Sequence, residues 1–449
     1  MDQELLSPPP GDLASDIRQQ ASGEAVAAGG RPPLPPAGLA LLRRLFEGYP
    51  GSLGLRVGDW TTRLGRQAQQ PSAFTLVLNE PSALRRLLLG RDPLRFAQAY
   101  FTGALDVEGD FFHALQLKDH LPALTLSWSD RLRLAVRLLA PPSGSSDEAP
   151  RTSGVRRHSR AENKAAIAFH YDLSNDFYAL WLDRGMVYSC AYYETEDTEL
   201  EQAQRAKLDH ICRKLRLQPG EELLDIGCGW GALVMHAARH YGVKAIGITL
   251  SERQLALARE RIAGAGLQGQ VDVRLCDYRD MTGQFDKVAS VGMFEHVGLN
   301  NLPVYFGAVN RLLKPGGLFL NHGITHEEEG WGQALSSRFI NRYVFPDGEL
   351  DRASNVMRVM EQQHFELHDL EGLRMHYGKT LRAWVARLEA AHDEALRHVD
   401  EAHYRIWRLY MAASALEFES GELGLYQILA SKRDAGAAPV PLTRRYMYV

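Results

Sequence analysis

Long apolar runs are missing from this chain. Nowhere in its 449 residues is there a run of the roughly eighteen apolar residues that a membrane-spanning helix needs. Cysteine is scarce: Cys190, Cys212, Cys228 and Cys276 are all there is, with no CxxC pair among them. Reduced thiols in a cytoplasmic protein are the simplest reading, since a chain this long needs no disulfide staples. A dominant charge is also missing, because 51 Lys+Arg stand against 55 Asp+Glu for a formal net charge of −4. That balance makes no global field for nucleic acid, and no nucleic-acid partner is expected. The opening, MDQELLSPPPGDLASD, has neither a basic n-region nor an apolar h-region, so it is not expected to act as a secretory signal. What is present is ordinary globular composition, 45% hydrophobic and 24% charged, which excludes a mostly disordered or fibrous chain. The length exceeds one ordinary domain, so two are expected.

Residues 1–36 carry PPPG and RPPLPP among small polar residues and cannot bury a core, which predicts a disordered Pro-rich tail. From 37 to 140 the pattern turns amphipathic. LALLRRLF and SDRLRLAVRLLA set leucines and arginines at helical spacing, and SAFTLVLNE between them reads as a strand. The block holds 13 Lys+Arg against 9 Asp+Glu, which predicts a small basic α+β domain. Its arginines either solvate helix faces or meet anionic lipid. Residues 141–161 read as a linker. From 162 to 449, the strand-like runs ELLDIG, KAIGIT, VDVRLCD, DKVASVG and GLFLNHG alternate with helical stretches, with FELHDLEGL and LYQILASK as later strand candidates. Such alternation predicts an α/β domain with a mostly parallel sheet.

The strongest motif is LDIGCGWG, residues 224–231. A buried strand runs into glycines and then a helix, so backbone N–H groups can approach a ligand at a helix N-terminus. Asp225, just ahead of Gly227, Gly229 and Gly231, argues against a pyrophosphate. S-adenosylmethionine (SAM) suits the site better, because its ammonium group wants a carboxylate and its carboxylate wants backbone donors. The second strand ends in GITLS without the acid that dinucleotide folds use for ribose. Thr249 and Gln254 can take the hydroxyls instead. At the end of the third strand, Asp277 can accept from an adenine amine and Tyr278 can stack on the base.

With FHYDLSNDFYALWLD, YSCAY, GITLSERQ, GMFEHVG, LKPGGLFLNHGI, RYVFPDGEL and HYGKTLRAW added, the chain resembles the cyclopropane-fatty-acyl-phospholipid synthase family, which includes the mycolic-acid cyclopropane synthases. FTGALDVEGDF in the N-terminal block is similar to the accessory domain of the bacterial phospholipid enzymes. The resemblance implies a class I SAM-dependent methyltransferase fold, Rossmann-like with a mostly parallel seven-stranded sheet. It implies methyl transfer from SAM to a cis double bond of an unsaturated phospholipid acyl chain, followed by ring closure, with a bound bicarbonate ion as general base. The anion-site positions fall on Cys190, Glu295, His322, Ile324 and Tyr377, and Tyr188, Ser189 and Leu250 join the cofactor set. Phe169, Tyr171, Tyr188, Tyr192, Phe294, Tyr343 and Tyr377 are candidates to face a cation or line an acyl channel, and at least half are expected to be plain core. A cytoplasmic enzyme working at the membrane surface is expected, with homodimerisation left open.

Two positions depart from the pattern. Ser414 stands where some relatives carry cysteine, which removes a covalent-thiol role. Gly323 stands where relatives often carry threonine, and the smaller residue is expected to enlarge the space beside the anion site. A methyl- or methylene-branched product would share the same first step, so the motifs leave both outcomes open.

Overall fold

The computed structural model describes residues 43–44, 46–79, 94–120, 173–326, 344, 349–434 and 439–448. The expected tail and linker lie outside these residues, as do PSALRRLLLG, SDRLRLAVRLLA and the residues Phe169, Tyr171 and Tyr343. The chain divides into two compact units, Met1–Arg151 and Thr152–Val449.

In the first unit, β1 (Leu53–Val57), β2 (Trp60–Leu64), β3 (Phe74–Leu78) and β4 (Leu105–Gly109) form one sheet in the order β2-β1-β3-β4. The β1–β2 hairpin is antiparallel, β1 and β3 run parallel, and β3 pairs antiparallel with β4. Helices α1 (Leu94–Phe101) and α2 (Phe111–Leu115) accompany the sheet, and the Asp110 side chain caps α2 through the His113 N–H. Leu53, Leu55, Trp60, Phe74 and Leu105 fill its core. The unit is α+β, as its composition predicts.

The second unit holds the larger sheet. Its strands are β5 (Glu222–Ile226), β6 (Lys244–Thr249), β7 (Val271–Leu275), β8 (Phe285–Val291), β9 (Leu313–His326), β10 (Phe365–Gly372) and β11 (Leu423–Lys432), in the order β10-β11-β9-β8-β5-β6-β7. All pairings from β9 through to β7 are parallel, and only β11 runs against its neighbours. The order turns between β5 and β8, where chains leave in opposite directions and open a crevice at the strand C-termini. LDIGCGWG ends β5 at that crevice, and GMFEHVG follows β8 beside it.

The longer helices of this unit, with one short one, are α3 (Asn175–Ala179) and α4 (Leu200–Lys214) before the first strand, then α5 (Ala232–Tyr241), α6 (Glu252–Gly264), α7 (Leu302–Leu312), α8 (Ala353–Gln362), α9 (Arg374–Ala390) and α10 (Glu401–Ser420) between the strands. One hydrophobic cluster packs α4 and α5 on one face of the sheet; a second packs α7 and α8 on the other. The mostly buried residues of β5 and β8 follow from helices covering both faces of the sheet. All four cysteines are free. Among the described residues, no helix is long and apolar enough to cross a membrane.

Candidate active site

The glycine turn is held from both sides. Gly227, Gly229 and Gly231 sit at φ of 84°, 53° and 83°, which a side-chain-bearing residue rarely adopts. Gly231 is the N-cap of α5. Between them, Trp230 donates its ring N–H to Asn175 Oδ1 at 2.8 Å, while its carbonyl accepts from Arg261 at 3.0 Å. Cys228 packs on the bare backbone of Gly247, where an added Cβ would fall 2.7 Å from its Sγ.

This turn floors a cleft of about 1170 Å³ up to its mouth. Tyr188, Ser189, Asp225, Gly227, Gly229, Thr249, Leu250, Gln254, Asp277 and Tyr278 all line it. Gly231 does not; its part is to start α5. Asp225 is 3% exposed and its Oδ1 has no hydrogen-bond partner among the described residues. A buried carboxylate oxygen left this way is costly unless a ligand meets it. Burial pushes the Asp225 carboxyl up to about 7, and the charge of Lys207 opposes that rise.

Two of the expected contacts prove to be shared within the protein. Thr249 donates its hydroxyl to Gln254 Oε1 at 2.7 Å, so it orients the amide, whose N–H groups remain to face the cleft. Asp277 binds Arg279 through both carboxylate oxygens, at 2.8 and 2.5 Å. Arg279 lies over the Tyr278 ring, which meets Tyr305 edge-on at 5.2 Å. The Tyr278 ring is therefore braced by neighbours within the protein.

A second cavity, about 870 Å³, adjoins the first. Tyr188, Ser189, Gly292 and His296 line both. Around the second, the fold brings together Cys190 from the loop before α4, Glu295 from the turn after β8, His322 and Ile324 from β9, and Tyr377 from α9. Glu295 Oε1 accepts from the Ile324 backbone N–H at 2.7 Å, and Oε2 is buried without a partner among the described residues. Burial pushes the Glu295 carboxyl up to about 7, which lets it hold a proton near neutrality. His322 is 1% exposed and burial holds its imidazole down to about 3, so it stays neutral. Gln427, its cross-strand neighbour on β11, places Nε2 3.1 Å from His322 Nδ1. An amide N–H donating there makes Nδ1 the acceptor and puts the ring proton on Nε2, which is also buried and unpartnered among the described residues. A protonated carboxyl and an Nε2–H are both donors, and together they suit a small anion. The Cys190 thiol is pushed up by burial and is no base.

The rest of this cavity is an apolar wall. Tyr410, Ser414 and Phe418 come from successive turns of α10, opposite Leu381 of α9 and Leu423 and Leu425 of β11. Of the four described aromatic candidates, Tyr188 and Tyr377 line cavities. Tyr192 stacks between His210 and His376, and Phe294 belongs to the core.

Phe294 also corrects the expectation about Gly323. The space a side chain would take there is filled: a Cβ on Gly323 would fall 1.9 Å from Phe294 Cε1 and 3.1 Å from Glu295 Oε1. The glycine enlarges nothing; it seats the ring that precedes Glu295. Gly323→Thr should therefore push Phe294 out, cost about 1–3 kcal/mol of stability by overpacking, and lower turnover by displacing Glu295. Thermal unfolding and turnover measured together test this, and an unchanged variant in both would contradict it.

Sequence motifs missed Lys207, His296 and Gln427. Lys207 left one trace, since it lies four residues from both Ala203 and Ile211, on the buried stripe of α4. His296 stood inside GMFEHVG but had no assigned role. Gln427 left no trace, because only strand pairing brings it to His322.

The sequence model of the family described as mycolic acid cyclopropane synthetase matches residues 158–428. A probable fatty acid methyltransferase of Pseudomonas putida is 42% identical over 380 residues, 83% of this chain and 91% of that protein. The cyclopropane-fatty-acyl-phospholipid synthase of Escherichia coli K12 is 41% identical over 263 residues, covering 59% of this chain and 66% of its own. Among solved structures, mycolic acid cyclopropane synthase CmaA1 complexed with SAH and CTAB superposes with a TM-score of 0.58 at 35% identity, over 60% of this chain and 98% of the other. With the crevice, the glycine turn and the sheet order already in place, these similarities show that the chain belongs to the mycolic acid cyclopropane synthetase family of SAM-dependent methyltransferases.

Proposed function

We propose that the protein transfers a methyl group from SAM to the cis double bond of an unsaturated phospholipid acyl chain and closes a cyclopropane there. The observation that carries this reading is the pair of joined cavities. One has an orphaned carboxylate oxygen beside a glycine turn; the other has an apolar wall and two buried, unpartnered groups suited to an anion.

SAM supplies an electrophilic methyl group on a positively charged sulfur. The alkene π pair bonds to that carbon as the carbon–sulfur bond breaks, and the cation left on the acyl chain loses a proton from the new methyl to close the ring. Asp225 and the glycine turn would hold the amino-acid end, and Tyr278 the base. Tyr188, at the wall shared by both cavities, presents an aromatic surface where positive charge passes, an interaction of roughly 0.5–2 kcal/mol when water is absent. Glu295, His322 and Tyr377 would hold bicarbonate, which supplies a base that a lone carboxylate could not be without trapping the cation as an ester. The leucines and Phe418 keep water from that cation.

The relative named a probable fatty acid methyltransferase favours a second reading, in which the same cation loses its proton without closing a ring, from the new methyl to leave a methylene branch or from a neighbouring chain carbon to leave a methyl-branched alkene. Mass spectrometry of lipids from expressing cells fed deuterated methionine separates them. A ring or methylene branch retains two deuteriums and a methyl branch formed by loss of a chain proton three, and chromatography against standards divides the first two. Unmodified lipids would overturn both.

Asp225 makes cofactor binding depend on pH. Its carboxyl is raised to about 7, so below that value a proton must leave before an ammonium can bind. Affinity for S-adenosylhomocysteine (SAH) should fall by up to about tenfold per pH unit below 7, and Asp225→Asn should lose the dependence. Calorimetry across this range checks it; a sloping profile in Asp225→Asn would assign the effect elsewhere. For the N-terminal block we propose contact with anionic lipid. Since surface attraction is screened over about 8–10 Å in ordinary buffers, added salt should weaken binding to anionic vesicles, and salt-independent binding would count against it.

A further inference from the structure

Lys207 is a buried ammonium with no direct carboxylate partner among the described residues. It projects from the middle of α4 and is 2% exposed. It lines the same cleft as Asp225 and the glycine turn. Its Nζ donates to Ser189 Oγ at 2.9 Å, and no direct ion pair joins it to an acid among the described residues. Asp183, the acid whose charge acts most strongly on it, spends its two oxygens on the backbone N–H groups of Gly185 and Val187, at 2.7 and 2.8 Å. An ammonium has three donors, and a single hydroxyl does not balance a buried positive charge.

The charges that line the cleft sort into two sets. At the base-stacking end, Asp277 and Arg279 neutralise each other. At the other end stand Asp225, with an unpartnered oxygen, and Lys207, whose ammonium makes no direct ion pair among the described residues. The third basic residue on the wall, His296, is held down to about 4 by burial and carries no charge. An acid and an ammonium beside the same glycine turn, neither in a direct ion pair among the described residues, complement a zwitterion.

We propose that Lys207 binds the α-carboxylate of the cofactor, directly and through Ser189, so that Asp225 and Lys207 together recognise its amino-acid end. This rests on the SAM reading above and assigns the carboxylate to a side chain rather than to backbone donors alone. The titratable groups acting on Lys207 are Asp183, Cys190 and Asp225, all of which favour its charged form against the desolvation that holds it at about 8. His236 and His322 also feel its charge, and burial keeps both below their ordinary value.

The test compares SAH with decarboxylated SAH, which keeps the amine and lacks the carboxylate, by calorimetry on the full chain at a pH above the Asp225 transition. The intact protein should bind decarboxylated SAH about ten- to a hundredfold more weakly than SAH, the scale of one hydrogen bond to a charged group. Lys207→Met should lose most of the preference for SAH over the decarboxylated ligand, and Lys207→Arg should recover part of it. If Lys207→Met does not fold, Lys207→Gln, which keeps a donor toward Ser189, carries the comparison. Equal affinity of the intact protein for both ligands would overturn the assignment, and so would a variant that weakens both ligands alike. An intact protein that binds neither would instead sink the SAM reading on which the inference stands.

Discussion

Glu295→Gln should lower turnover by on the order of a hundredfold or more, the usual scale of acid–base assistance, while SAH binding stays the same. The separation follows from where the side chain lies. Glu295 lines the second cavity and not the cleft that holds Asp225. Its Oε1 is committed to the Ile324 N–H, and its Oε2 is the buried atom without a partner. With the carboxyl raised to about 7, the group acts as a donor to an anion below that pH and repels one above it. The activity that depends on Glu295 should therefore decline as pH rises through this range. Glutamine keeps a donor and the shape but cannot exchange the proton, so the anion site weakens. Turnover of the unaltered protein should also fall in carbonate-depleted buffer and return with added bicarbonate. If Glu295→Gln retains full activity and depletion has no effect, the borrowed-base mechanism is wrong, and His322 or Tyr377 must take the proton directly.

Asp225→Ala should reduce SAH affinity by roughly ten- to a hundredfold or more in a folded protein, since a hydrogen bond to a charged group contributes about 1.5–3 kcal/mol. The fold should survive, because the carboxylate has no structural partner to lose at Oδ1 and burying it costs free energy in the ligand-free state. Without ligand, the variant should unfold at a higher temperature than the parent. Calorimetry with SAH and thermal unfolding decide this: undiminished affinity in a folded variant would remove Asp225 from the site.

Much of the second unit was legible because local and periodic signals agreed there. ELLDI and DKVASV are largely buried and read as strands from their short Leu, Ile and Val-containing runs, and the turn chemistry of LDIGCGWG required glycine at three positive φ angles. The antiparallel β11 was legible as a strand but not in its direction, which depends on pairing with β9 and β10. Site residues near one another in sequence were readable as groups. Residues joined only across the sheet were not: Gln427 reaches His322 from a strand 105 residues away. Gly323 shows the opposite error, where a correct identification led to a wrong consequence, because a missing side chain says nothing about which neighbour moves into its place.

By itself the amino-acid sequence determined the α/β class, the glycine turn with its leading acid, and the family, since each is written in short segments whose chemistry holds wherever they lie in space. Only the tertiary structure decided which polar groups remain unsatisfied. Thr249 and Asp277 turn to partners within the protein, whereas Asp225, Glu295 and His322 keep buried atoms open toward cavities. That division depends on packing distances of a few tenths of an ångström between strands and helices far apart in the chain, and burial then converts it into free energy by removing the water that would otherwise have satisfied every one of these groups.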